Sequence, residues 1–79
     1  MKLADAPIGA QLCVESAPLD AKTTLRLGEL GLRPGCVICV LKRTVFGGTV
    51  VACGGQRLAL DKATAALVVT RPLNLAAAA

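Results

Sequence analysis

The chain has 79 residues, 54% apolar and 18% charged, with a net charge of +4. One domain is the most this length allows, and the apolar content argues against disorder. There is no His, Trp or Tyr, and Phe46 is the only aromatic residue. That excludes Ser-His and Cys-His catalysis and every histidine-containing metal site.

Pro7, Ile8 and Gly9 form a turn signal, and residues 10–16 read as a first strand. Pro18 and Asp20 mark a loop over 17–21. Residues 22–30 read as a short helix, with Leu27 and Leu30 on one face. Asp20 and Thr23 are both available to cap its start, and Gly31 suits the position that ends it. Gly28 lies inside the helix, which a close approach by a neighbouring strand would explain.

Arg33-Pro34-Gly35-Cys36 fits a type II turn. A strand follows over 36–43, Gly47-Gly48 turns it back, and 49–53 is the return strand. Gly54-Gly55 gives another turn, and 56–60 another strand. Asp61 caps one helical turn over 62–66, and 67–71 closes the set. Residues 73–79 are expected to be a disordered tail or a vector remnant, leaving 1–72 as the domain. Five short strands are too few for a two-sheet sandwich. A bent sheet that closes on itself manages its own edges, so the expected class is all-β: a small SH3-like barrel with one inserted helix and one helical turn.

Cys13, Cys36, Cys39 and Cys53 permit disulfides or a metal site. Cys36 and Cys39 sit in a β-branched run, where residues three apart point to opposite faces. Packing is therefore the preferred role of all four cysteines. Five dispersed carboxylates and no histidine argue against direct iron binding. No Gly-Lys-Ser/Thr follows either glycine pair, so neither is a phosphate loop. No catalytic, cofactor or metal residue is assigned, and neither an enzyme nor a cofactor is expected.

The stretch from Arg26 to Gly35, Arg-Leu-Gly-Glu-Leu-Gly-Leu-Arg-Pro-Gly, resembles the signature of the FeoA family of ferrous iron transport proteins. The run from Gly54 to Leu60, the Ala63/Ala66 turn, Leu67-Val68-Val69 and the opening Leu3 and Ile8-Gly9 extend the resemblance over about residues 1–71. It implies an SH3-like barrel with a helix inserted after the first strand. It also implies a cytosolic accessory role in ferrous iron uptake, through protein contact with a FeoB-type GTP-binding Fe(II) transporter.

Between Val37 and Leu41 both strand faces are apolar. Ile38 and Val40 are expected inward, leaving Val37, Cys39 and Leu41 outward. An apolar outer face needs a cover: a partner, a second copy in a homo-oligomer, or the chain's own helix or termini. Phe46 is either a loop-tip anchor or folds back, and Arg26 either pairs at the surface or faces a partner. The candidate partner-binding residues are thus Arg26, Val37, Cys39, Leu41 and Phe46. Two other functions stay open. One is a nucleic-acid-binding barrel using Lys42, Arg43, Arg57 and Arg71, weakened by the lack of stacking aromatics. The other is a metal-responsive regulatory domain like that of DtxR-type repressors. Nucleic acid is not the expected partner. No run approaches the ~20 apolar residues that span a bilayer, so no direct membrane insertion is expected. With no signal-peptide pattern after Met1-Lys2, the expected location is cytoplasmic, with the inner face of the membrane reached through a partner.

Overall fold

A computed structural model of the chain describes residues 1–73. A 3-10 turn over Leu3–Asp5 comes first. The strands are β1 (Gln11–Ser16), β2 (Val37–Arg43), β3 (Thr49–Cys53), β4 (Gln56–Leu60) and β5 (Val69–Pro72). Helix α1 spans Ala21–Glu29, and α2 spans Lys62–Leu67. The strands form one antiparallel sheet in the order β4-β3-β2-β1-β5. The architecture is mainly β, with α1 inserted after the first strand, as the sequence led us to expect. The tail expected over 73–79 lies outside the described residues except for Leu73, whose N–H still donates to Gln11 O at 3.0 Å.

Alternation along the strands builds the core. Leu12, Val14, Ile38, Val40, Val51, Leu58 and Leu60 are buried on the inner face. Leu3, Ala6, Leu27, Leu32, Ala65 and Val68, from outside the strands, join the same buried cluster. The expected inward pair, Ile38 and Val40, is fully buried.

Helix α1 is short but well terminated. Asp20 is its cap, accepting a hydrogen bond from Thr23 N–H at 2.8 Å. At the other end Leu32 N–H reaches Leu27 O at 2.9 Å and Gly31 N–H reaches Gly28 O at 3.1 Å. These two bonds define a Schellman ending, and Gly31 supplies the positive φ of 100° it requires. Leu27 and Leu32 are the buried apolar pair that accompanies it. Leu30, expected to pack beside Leu27, is instead exposed, because the chain has already left the helix there. The type II turn is present: Cys36 N–H donates to Arg33 O at 3.0 Å, with Gly35 at φ +92°.

Three further expectations are corrected. No strand crowds Gly28: a Cβ there would meet only Arg33 Cγ, at 3.9 Å. The last strand starts later than expected, because Leu67 closes α2 and Val68 is its buried C-cap. Residues 1–3, read only as an opening, bridge the outer edge of β5. Leu3 N–H donates to Val68 O at 2.8 Å, and Thr70 Oγ1 donates to Met1 O at 3.0 Å. That edge strand therefore has a local partner.

Candidate functional site: the outer face of the sheet

Directly opposed residues of an antiparallel pair share a face. The register sets the outer face in three rows. The first runs Arg71–Cys13–Val37 across β5, β1 and β2. The second runs Gln11–Cys39–Ala52–Arg57 across β1 to β4. The third ends in Val50–Ala59 and begins at a β-bulge, where Leu41 and Lys42 together oppose Val50.

The centre of this face is apolar. Val37 is 49% exposed, and Cys39, Leu41, Val50 and Ala52 are half-buried. Each row also carries one exposed cation: Arg71, Arg57 or Lys42. The result is an apolar band with a basic rim.

The bulge has a second effect. Strict alternation from Ile38 would turn Lys42 inward and Arg43 outward. The extra residue reverses this phase, so Lys42 is exposed and Arg43 turns under the barrel end. The Arg43 guanidinium donates to Leu3 O at 3.3 Å, to Ala6 O and to Thr49 Oγ1. Arg43, one of four cations considered for nucleic acid, is thus committed to holding the N-terminal segment. Its ligands are two backbone carbonyls and one buried hydroxyl, which no sequence pattern announces.

The five candidate residues do not form one cluster. Val37, Cys39 and Leu41 lie on the outer band. Phe46 lies beyond the end of β2, at the tip of the β2–β3 hairpin, and is 90% exposed rather than folded back. Arg26 is exposed on α1 and lines a groove between that helix and β4, with Thr23, Leu30, Gln56 and Arg57. Val50 and Ala52, absent from the sequence-based set, belong to the band; alternation counted outward from the Gly47-Gly48 turn would have found them.

The cysteines pack, and all four are free thiols. Cys36 lies against the core, whereas Cys39 opposes Gln11 and Ala52 on the outer face. Their sulfurs therefore diverge. Cys53 is buried and its thiol donates to Gly31 O at 3.3 Å. Burial first, and then neighbouring Cys36, push the Cys53 pKa upward. Among the described residues no three of His, Cys, Asp and Glu come together to hold a metal ion. None of the described helices is long and apolar enough to cross a membrane.

A short antiparallel barrel of this topology, with a helix after its first strand and an apolar outer band, belongs among the small SH3-like domains. The FeoA domain model matches residues 1–72, so the chain belongs to the FeoA family. The FeoA protein of Chlorobium tepidum superposes with a TM-score of 0.87 at 28% identity, over 92% of this chain and 70% of that one. An iron uptake regulatory protein (FeoA) gives 0.82 at 29% identity, over 92% and 97%. The zinc complex of Stenotrophomonas maltophilia FeoA gives 0.72 at 32% identity, over 90% and 89%. That protein is described as a prokaryotic SH3 domain protein and a candidate activating factor of bacterial ferrous iron transport. No curated protein sequence matches the chain.

Proposed function

We propose that this chain is a small accessory protein of bacterial ferrous iron uptake, working on the cytoplasmic side of the membrane. It acts by contact with a FeoB-type GTP-binding Fe(II) transporter and performs no catalysis of its own. Membership of the FeoA family supports the process, and two similar proteins carry descriptions that point to iron uptake or its activation. The observation that carries the contact is the outer band of Val37, Cys39, Leu41, Val50 and Ala52, which the described chain leaves partly open to solvent. Covering a few hundred Å² of such surface at about 25 cal/mol per Å² gives several kcal/mol before association costs. The basic rim favours a partner whose contact surface is acidic at its margins.

The test is a titration of isotopically labelled protein, followed by backbone NMR. One arm uses the transporter's soluble GTP-binding domain, the other the intact transporter in a membrane mimetic. Shifts concentrated on β2 and β3 are expected. Absence of association with both preparations would reject the proposal.

A further inference from the structure

Among the described residues, the two most exposed large apolar side chains are neighbours. Val45 is 94% exposed and Phe46 90%, side by side at the tip of the β2–β3 hairpin. They do not belong to the outer band, which ends at Leu41 and Val50. The loop that presents them is tightly built. Gly47 N–H donates to Thr44 O at 3.0 Å, Thr44 N–H to Gly48 O at 2.9 Å, and Gly48 N–H to Thr44 Oγ1 at 2.8 Å. Gly47 sits at φ +85°, completing a three-residue hairpin loop with a bulge. A hairpin braced in this way holds its apolar tip out in water, at a standing free-energy disadvantage.

Two lysines flank the tip. Lys62, the first residue of α2, runs its side-chain carbons alongside Gly47, so that a Cβ at that glycine would lie 3.1 Å from Lys62 Cδ. Lys42 is exposed two residues before Thr44. The carboxylate closest in sequence to Lys62, Asp61, is already engaged by Thr64 N–H at 2.7 Å. An apolar point with lysines behind it is the arrangement that enters a lipid interface: the tip passes below the headgroups while long basic side chains remain at their level.

We infer that the Val45–Phe46 tip, backed by Lys42 and Lys62, docks on an anionic lipid surface. A lipid surface fits better than a protein pocket on one ground. The N–H groups of Thr44, Gly47 and Gly48 are turned into the loop, and those of Val45 and Phe46 have no acceptor within the described residues. The tip therefore offers apolar surface, charge and two N–H groups that water and headgroups satisfy at a fluid interface without matched geometry. The contact is interfacial and involves no spanning segment. Its apolar tip and Lys62 lie outside the band of the protein contact proposed above. Lys42 alone is common to both, as one cation of the band's rim, so the Lys62 and Val45/Phe46 variants test the lipid contact separately.

The chain contains no Trp or Tyr, so a Phe46→Trp variant carries a single strong emitter at the tip. Its emission is followed as phosphatidylcholine vesicles, with or without phosphatidylglycerol, are added. Sedimentation of the unmodified protein with the same vesicles runs in parallel. A blue shift with anionic vesicles, together with cosedimentation reduced by added salt, is expected. Lys42→Ala and Lys62→Ala should each weaken binding about fivefold, from the usual contribution of a basic residue near an anionic surface. The double variant Val45→Ser/Phe46→Ser should lose most of it while keeping its circular dichroism spectrum. Unchanged emission with anionic vesicles at low salt would overturn the inference. So would a double variant that sediments like the parent. Emission that moves with the intact transporter in detergent but not with vesicles would also overturn it, assigning the tip to a protein pocket.

Discussion

Two glycines that look alike in sequence have opposite structural roles. Gly28 lies inside α1 with open space around it, and the nearest atom to an added Cβ is 3.9 Å away. Gly28→Ala therefore removes only the entropic penalty of a helical glycine and should stabilise the protein by about 0.5–1 kcal/mol. A thermal melt checks this, since a domain this small moves about 4–8 °C per kcal/mol. Gly48 is the reverse case. Its added Cβ would fall 2.8 Å from both Leu60 O and Thr44 Oγ1. The first is backbone at the junction of β4 and α2, so it cannot simply rotate away. Gly48→Ala should destabilise by about 1–3 kcal/mol, the usual range for overpacking. The thiols separate in the same local way. Cys53 is buried, with its pKa raised by burial and by Cys36, whereas Cys39 is half-exposed on the outer band. Iodoacetamide applied to the native protein at neutral pH should label Cys39 well before Cys53, as peptide mass spectrometry would show. Because the folded pKa of Cys53 is raised, its contribution to stability is complete below the ordinary thiol range. It is lost as pH rises through the higher value.

The elements are held by end groups more than by length. Both helices start on an aspartate that accepts a backbone N–H, from Thr23 for Asp20 and from Thr64 for Asp61. In each case the side-chain bond from the threonine lowers the aspartate pKa, with the backbone N–H adding to it. A lowered folded pKa gives stability that is present above the ordinary carboxylate range and lost as pH falls through the depressed value. The melting midpoint should therefore fall on acidification, and Asp20→Asn/Asp61→Asn should reduce that dependence. At the opposite end of α1, Gly31→Ala should cost about 1–2 kcal/mol through its positive φ alone, because the nearest atom, Cys53 Sγ, leaves room at 3.6 Å. These features were legible in the sequence because caps and turns are local: Gly31, Pro34-Gly35 and Asp61 act on residues within about five positions of themselves, although the sequence left Asp20 and Thr23 equally available as the first cap. What could not be read depends on distant partners. The bulge at Leu41 exists only against Val50, and it alone decides that Arg43 turns inward to Leu3 and Ala6. The bridging of β5 by residues 1–3 is likewise a contact across nearly the whole chain.

For the molecule as a whole, the proposed contact with a transporter raises the question of which surface would make it. Two faces are candidates: the outer band and the α1–β4 groove that Arg26 lines. The band is apolar and lies on the adjacent strands β2 and β3, whereas the groove mixes Thr23, Gln56, Arg57 and Asp61 with its leucines. Apolar area sets most of the gain on association, and rim charge sets mainly the rate and its salt dependence. The two surfaces therefore give different signatures. If the band is the contact, Ala52→Glu places a carboxylate at its centre without touching the core, since Ala52 faces outward between Cys39 and Arg57. The new carboxylate lies opposite Arg57. Taking it out of water, paired or not, should reduce affinity for the transporter by at least about tenfold, since attraction within a buried ion pair does not repay the desolvation of both charges unless its geometry is excellent. Arg26→Ala should then change affinity little, and added salt should slow association more than it speeds dissociation. If the groove is the contact, the ranking inverts. Sedimentation velocity of the isolated protein adds a third outcome, because a second copy on the band would give concentration-dependent association that Ala52→Glu abolishes. Measuring transporter binding with both variants thus assigns the face directly, and equal losses from the two would mean that the contact wraps around the β4 edge, where Arg57 lies on both surfaces.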